Sequence, residues 1–393
     1  TSTRTRFEEG VVDTEQYLRM SEYAFQYRLT EAEFKRKKKD IQSHSVFGSF
    51  EEGNLAAKVH IIPLEVFINR QTYKMGGVAG VATWPEYRRS GHVKGLLKQS
   101  LQDMKEKGQV LSFLHPFSIP FYRKYGWELI FEQKKLKIPI NDLRKKWNID
   151  GKVRRTPFNE DAISVIQPVY ESFAKNYNGP LTRDINWWMN RIWNEDLVVA
   201  IGYNEKDEAD SYIIYKVKNR IFQVEDYAYH SLFGLKRILE FMSNHDSMVD
   251  YIEIKVPANE KMDLLFQDRQ LEQQVKAYFM GRIVDVEKFL QQFPYKVSEG
   301  FKPFQLRVED SFMPENSGTY VFEQDQHTIT IKKQDNTDYP VIECSVQQLT
   351  AIMLSYQTAQ ELAAMGLITG DEQSIEQLNS LVPVQQTYMP DFF

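Results

Sequence analysis

The stretch Val81-Ala82-Thr83-Trp84-Pro85-Glu86-Tyr87-Arg88-Arg89-Ser90-Gly91-His92-Val93-Lys94 decides the fold. An extended run ends there, a basic turn comes next, and a helix begins. From His92 to Lys107 the apolar residues Val93, Leu96, Leu97, Leu101 and Met104 share one helical face, and Gly108 stops the helix. A helix start offers unpaired backbone N–H groups and a partial positive charge. Gly91 lets the backbone approach a ligand closely, and Arg88 and Arg89 add charge. This arrangement suits a pyrophosphate. A merely solvated turn would have the same composition.

Working outward, Leu55–Ile68 and Tyr73–Trp84 read as strands before the turn, and Val110–Leu114 as a buried strand after it. Val12–Leu29 reads as a helix, with Tyr17, Met20, Ala24 and Tyr27 at spacings of three and four. The run Lys35-Arg36-Lys37-Lys38-Lys39 is either a solvated helix face or a rim that attracts a polyphosphate. Between Gly151 and Pro294 the order repeats without residue identity: strands at Leu197–Ile201, Asp210–Val217 and Ile221–Tyr229, a helix at Leu232–Met242, a strand at Tyr251–Val256. The last part differs, with a hairpin of Tyr320–Glu323 and His327–Lys332 and a helix at Val346–Leu354. Boundaries near residues 150 and 290 result, giving segments 1–150, 151–290 and 291–393 of an α/β (α+β) chain. At roughly 150 residues per domain, 393 residues allow two or three domains.

Composition narrows the function. The apolar fraction is 42% and the charged fraction 26%, as in a folded chain. The net charge of −5 argues against broad nucleic-acid binding, which needs a basic surface. A single cysteine, Cys344, leaves no internal disulfide and no cysteine-based zinc site, and fits a reducing compartment. The seven histidines show no HxxxH or HxH spacing, so no metal is expected. There is no apolar run of membrane-spanning length, and Thr1–Gly10 lacks the apolar core of a signal peptide. The expectation is a cytoplasmic protein without membrane or nucleic-acid partners.

The element order, with Arg88, Gly91 and Val93 in the three specified positions of [QR]-x-x-G-x-[GA], resembles the GNAT acetyltransferase family. Val93 departs from the Gly or Ala of that signature. The resemblance implies acetyl-CoA as co-substrate. Its diphosphate would lie on the turn (Arg88, Arg89, Ser90, Gly91, His92, Val93 and Lys94), and its pantetheine would pair with Val81, Ala82 and Thr83. Phe117 and Ser118 would meet the pantetheine arm. The segment Phe121-Tyr122-Arg123-Lys124-Tyr125-Gly126-Trp127 resembles the family's aromatic motif and assigns Tyr122 to the leaving thiolate; otherwise Tyr122, Tyr125 and Trp127 are core aromatics.

The whole chain resembles the Eis (enhanced intracellular survival) acetyltransferases: two GNAT folds, only the first with the basic turn, then a sterol-carrier-like domain. The ending Met389-Pro390-Asp391-Phe392-Phe393 resembles that family's, and assigns the terminal carboxylate, at Phe393, as base. Its ordinary pKa near 3.5 is low for that task, so attraction of a cationic amine is the alternative role. Asp391 is a second acidic contact for such a substrate, and His115 reads as structural. Tyrosine titrates near 10 and a thiol near 8.5, so Tyr122 suits hydrogen bonding to the thiolate better than full proton transfer. The resemblance implies acetyl transfer to a primary amine (aminoglycoside, polyamine or lysine, as small molecule or peptide) by direct attack in a ternary complex, and a homohexamer. The rivals are an N-myristoyltransferase-like acyltransferase and a non-catalytic CoA- or lipid-binding module.

Overall fold

The computed structural model describes residues 3–6, 14–335 and 338–393, with side chains from residue 14 onward. The expectation for Thr1–Gly10 lies outside the described residues apart from the short strand β1 (Thr3–Arg6). The helix expected from Val12 is α1 (Thr14–Ala24), which buries Tyr17, Leu18 and Met20. The basic run lies on α2 (Glu31–Ile41), capped by Thr30, which buries none of its residues.

Three sheets organise the chain. The first begins β1, β2 (Ser45–Glu51), β3 (Asn54–Ile68), β4 (Gln71–Thr83) and β5 (Leu111–Leu114). After β4 comes α3 (His92–Glu106), which packs on β2, β3 and β4, and after β5 the short α4 (Ile119–Arg123). The second sheet holds the strands Lys152–Pro157, Val198–Tyr203, Ala209–Lys218, Ile221–Tyr229 and Tyr251–Val256. The third has four strands and includes the expected hairpin, with Asp325 paired to Thr328.

The two large sheets exchange strands across the boundaries read from the sequence. After β6 (Glu128–Leu129), β7 (Glu132–Pro139) lies before residue 150 but pairs with Tyr251–Val256 in the second sheet. Conversely, Met280–Ile283 sits in the first sheet between β5 and β6. The physical reason is edge satisfaction: each half completes the other's open edge, which no local pattern reveals. The exchanged strand also carries buried Arg282, which donates to the Tyr125 carbonyl and pairs with Asp310, tying the third domain to the end of α4.

Candidate active site

The strand β4 is paired on both flanks only in its first part. On one side it runs with β3 to Thr83; on the other it runs parallel to β5 from Met75 to Val78 and no further. Among the described residues, Ala79–Thr83 therefore present backbone groups that no strand of the sheet takes on that flank. A bulge lies at the same point. Lys58 faces Ala82 and His60 faces Ala79, so two steps along β3 span three along β4. Gly80 takes the extra turn at φ +59°, where a Cβ would come within 2.9 Å of the His60 ring. Val81 and Thr83 are half-buried; the Ala82 side chain is buried against α1.

The chain then enters the basic turn. Arg89 has φ +68° and Gly91 φ +75°, and Gly91 is the N-cap of α3 without a side-chain hydrogen bond. The first turn of α3 carries no acidic residue. Among the described residues, a Cβ on Gly91 would meet nothing within 4 Å. Arg88, Arg89, Ser90 and Lys94 are exposed, and the three cations have no ion pair among the described residues. Val93, the departure from the family signature, is half-buried and packs on the core beneath α3, so its side chain points away from the opening. His92 is a ligand of the scaffold: Nδ1 lies 2.6 Å from Ser49 Oγ and Nε2 3.0 Å from Glu51 Oε2, fixing the helix start on β2. These features fit a pantetheine diphosphate, which needs free N–H groups, positive charge and room.

Beyond β5, Ser118 caps α4 by accepting from Phe121 N at 3.3 Å, so its hydroxyl is already engaged. Phe117 is exposed and meets Tyr122 edge-on, ring centroids 5.2 Å apart. Tyr122 is buried in α4, packed with Phe121 and Trp127, and lines a cavity of about 1080 Å³. Burial pushes its pKa well above the usual value for tyrosine. Proton transfer to a thiolate is thus more uphill than for an ordinary tyrosine, whereas hydrogen-bond donation is unaffected.

The end of the chain lies in the same cavity. The Phe393 ring is buried, 4.8 Å from the Phe279 ring centroid and 6.3 Å from that of Trp187. A Cβ on Gly77 would come within 2.9 Å of it. Burying such a ring stabilises by about 2 kcal/mol. Asp391 departs from the sequence reading: its carboxylate is not free to meet a substrate. One oxygen accepts from Arg183 Nε at 3.0 Å and the other from Trp187 Nε1 at 3.0 Å, while its carbonyl accepts from Tyr278 at 2.8 Å. Arg183 also holds Asp226 through both terminal nitrogens, at 2.8 and 3.0 Å, between the rings of Tyr170 and Trp188. A buried carboxylate needs such pairing, and this clamp anchors the tail.

Sequence reasoning misses this clamp and a buried pair on the cavity wall, and it reads His115 as structural. His115 is exposed on that wall, 5.1 Å from the Phe392 ring, with its pKa lowered by partial burial. Lys58 and His60 lie on the cavity face of β3, both buried. A lysine and a histidine two apart in the apolar run Leu55–Ile68 are the available signal. Among the described residues, no helix is long and apolar enough to cross a membrane, and no three His, Cys, Asp or Glu side chains gather as a metal would need.

Comparisons with known proteins bear on this geometry. Models described as "Acetyltransferase (GNAT) domain" match residues 11–130 and 179–283, and one described as "Sterol carrier protein domain" matches 286–390. An uncharacterized N-acetyltransferase of Streptomyces griseus is 25% identical over 150 residues, 37% of this chain and 36% of that protein, so the match spans about a third of the relative's length. The crystal structure of a protein of unknown function from Enterococcus faecalis, described as a probable N-acyltransferase, covers both chains fully at 25% identity with a TM-score of 0.92. Eis1 of Mycobacterium abscessus shares the fold over the full length of both chains, at 18% identity and a TM-score of 0.82.

Proposed function

This chain belongs to the GNAT acetyltransferases, with two domains of that family and a sterol carrier protein domain, and from that premise we propose that it moves acetyl from acetyl-CoA to a primary amine. One observation carries the reading: the free flank of Ala79–Thr83 runs straight into an uncapped helix start beside Arg88 and Arg89. GNAT domains use acetyl-CoA, and the second of the two lacks this turn.

Each group has its own part in the reaction. The N–H groups of Gly91 to Lys94 and the guanidinium groups of Arg88 and Arg89 hold the diphosphate. Val81 to Thr83 pair with the pantetheine, and Phe117 covers its arm. The bound ammonium first sheds a proton to solvent; the free amine's lone pair then attacks the thioester carbonyl, the C–N bond forms, the C–S bond breaks, the nitrogen gives up a second proton, and CoA leaves as thiolate. Backbone N–H on the splayed strand stabilises the oxyanion, and Tyr122 O–H donates to the thiolate. The carboxylate assigned to Phe393 attracts the cationic acceptor. Aminoglycosides, polyamines and lysine side chains are the acceptor classes, and the assembly is a homohexamer, which light scattering checks directly: a monomeric mass removes that part.

A CoA-release assay over a panel of amines tests the reading. The parent is expected to turn over at least one amine. Tyr122→Phe is expected to lose about tenfold to a hundredfold in kcat with little change in the KM for acetyl-CoA. Extension by a few residues beyond Phe393 is expected to lower kcat/KM for the amine. No release with any amine would overturn the reading, and an unchanged rate on extension would remove the Phe393 assignment.

A further inference from the structure

The cavity holds a polar pair to which the transfer step gives no part. Lys58 Nζ lies 2.9 Å from His60 Nε2 and also meets Ser21 Oγ. Both side chains are buried, and no carboxylate pairs with the lysine among the described residues. Both line the cavity that Tyr122 and Phe393 line. Their position is specific. His60 packs on Gly80, the bulge where β4 leaves β5, which is where the acetyl thioester would rest. With Nε2 engaged by Lys58, Nδ1 is the ring nitrogen of His60 left to take a proton.

We propose that His60 accepts the proton released by the attacking amine and passes one on to Lys58, making His60 catalytic and Lys58 its positioning partner. The proposal rests on the acetyl-transfer reading and names the proton acceptor within it. As the C–N bond forms, the amine proton goes to Nδ1. The Nε2 proton goes to the neutral Lys58 amine, which becomes an ammonium, while the electron pair of the C–S bond leaves with the thiolate. Lys58 then returns its proton through His60 to the thiolate or to solvent, and the pair resets.

The charges around the pair agree with this order. Burial, then the charge of Lys37 on α2, bring Lys58 down to about 7. Burial, with Lys58, His44, Arg191 and Lys37, holds His60 well below the usual histidine value. From α1, Ser21 and Tyr17 face the pair; from α2, Lys37 and Asp40; from the loop before β2, His44. His60 therefore conducts a proton without keeping it, and Lys58 keeps it near neutrality.

The test uses the full chain, saturating acetyl-CoA, and spermidine, tobramycin and a blocked lysine ester as acceptors. The parent is expected to show kcat rising with pH through an apparent pKa near 7, because the working form has Lys58 neutral. His60→Gln is expected to lose about a hundredfold in kcat, with CoA affinity by calorimetry within twofold of the parent. Lys58→Met is expected to lose about tenfold and the limb near 7, and Lys58→Arg, which cannot shed its proton, is expected not to recover the rate. A parent whose kcat is flat between pH 6 and 8 overturns the proposal even if the variants fail to fold, as does a folded His60→Gln enzyme with the parental kcat. A parent that binds acetyl-CoA but acetylates none of the three acceptors overturns the transfer reading, and this proposal with it.

Discussion

The two GNAT halves build the same wedge and leave it in opposite states. In the first, β4 parts from β5 after Val78, two residues before a bulge at Gly80. In the second, Ile221–Tyr229 parts from its parallel neighbour after Val224, beside a bulge that places Ile214 against Asp226 and Tyr215 against Val224. The halves diverge at the next helix. The first half continues into a glycine turn and a helix without a cap. The second runs directly into the helix Leu232–Ser243, whose start is closed by Ser231 accepting from Gly234 N at 2.9 Å. Asp210 sits there too, bonded to Ser231 and Arg237. Beyond Val224, Asp226 receives Arg183 and Tyr212, and Glu260 receives Tyr227 and Tyr229. The fold supplies a wedge in both halves; what differs is the helix start, open at Gly91 and closed by Ser231 and Asp210.

Converting one helix start into the other should have the largest effect. Gly91→Asp puts an acidic side chain at the N-cap position of α3, against the diphosphate proposed to bind there. The expected result is a rise of a hundredfold or more in the KM for acetyl-CoA, from charge repulsion and loss of open N–H groups. Asp tolerates φ near +75° better than most residues, so the stability cost is about 1 kcal/mol. Calorimetry with CoA and a melting curve separate the two effects. Unchanged CoA affinity would mean that the helix start does not distinguish the halves.

Beyond the second wedge, Asp226 belongs to a clamp that also holds the tail of the third domain. Arg183→Met strips the cation from two buried carboxylates, Asp226 and Asp391. Removing one partner from such a buried network costs roughly 3–5 kcal/mol. The expected signature is a lowered Tm, early proteolysis near Tyr388–Phe393, and a loss of kcat/KM for the amine that exceeds the loss for acetyl-CoA. The Asp391 carboxyl is pushed up by burial against the pull of Arg183. Asp391→Asn keeps its shape and should cost less than the arginine variant; the reverse ranking would show that Arg183 does not organise the tail through Asp391.

Lys58 offers a third contrast, because among the described residues it is a buried amine paired with no carboxylate, where Arg183 has two. Its folded pKa of about 7 lies below the usual lysine value near 10.4, so the unfolded chain binds more protons between those limits. Stability from this group is therefore lowest at and below about pH 7 and rises toward pH 10. Lys58→Met should raise stability by about 2 kcal/mol at pH 7, with the gain shrinking as the pH climbs. Denaturant unfolding at pH 7 and 9.5 measures it, and a gain that grows with pH would contradict the burial of a titrating amine.

Legibility in the sequence tracks how local the determinants are. The basic turn, the amphipathic α3 and the strand Ile221–Tyr229 are set by neighbours within a few residues, and the structure has them where the pattern puts them. Val93 stands out in the sequence as a departure, but only the packing shows that its side chain turns into the core. The exchange of β7 and Met280–Ile283 between sheets is not readable, since either strand would satisfy either edge. Arg183 and Asp391 lie 208 positions apart, and each alone looks like surface charge. Asp391 therefore reads as a substrate contact when it belongs to the scaffold. Lys58 escapes notice because a single lysine in a strand usually marks its solvent face.

The smallest effect belongs to the second helix start. Ser231→Ala removes a cap whose oxygen accepts from Gly234 N, and caps of this kind are worth about 1 kcal/mol. It also frees Asp210 from one hydrogen bond, although Arg237 still holds that carboxylate at 2.6 Å. No phosphate can profit from the N–H group exposed, because Asp210 remains in front of it and a Cβ on Gly234 would already lie 2.6 Å from the Asp210 carbonyl. The melting temperature should fall by a few degrees, while the KM for acetyl-CoA and the number of CoA molecules bound per chain stay as in the parent. A second CoA site appearing in this variant would show that the cap alone had kept the second wedge shut, and that the acidic residue behind it is a bystander.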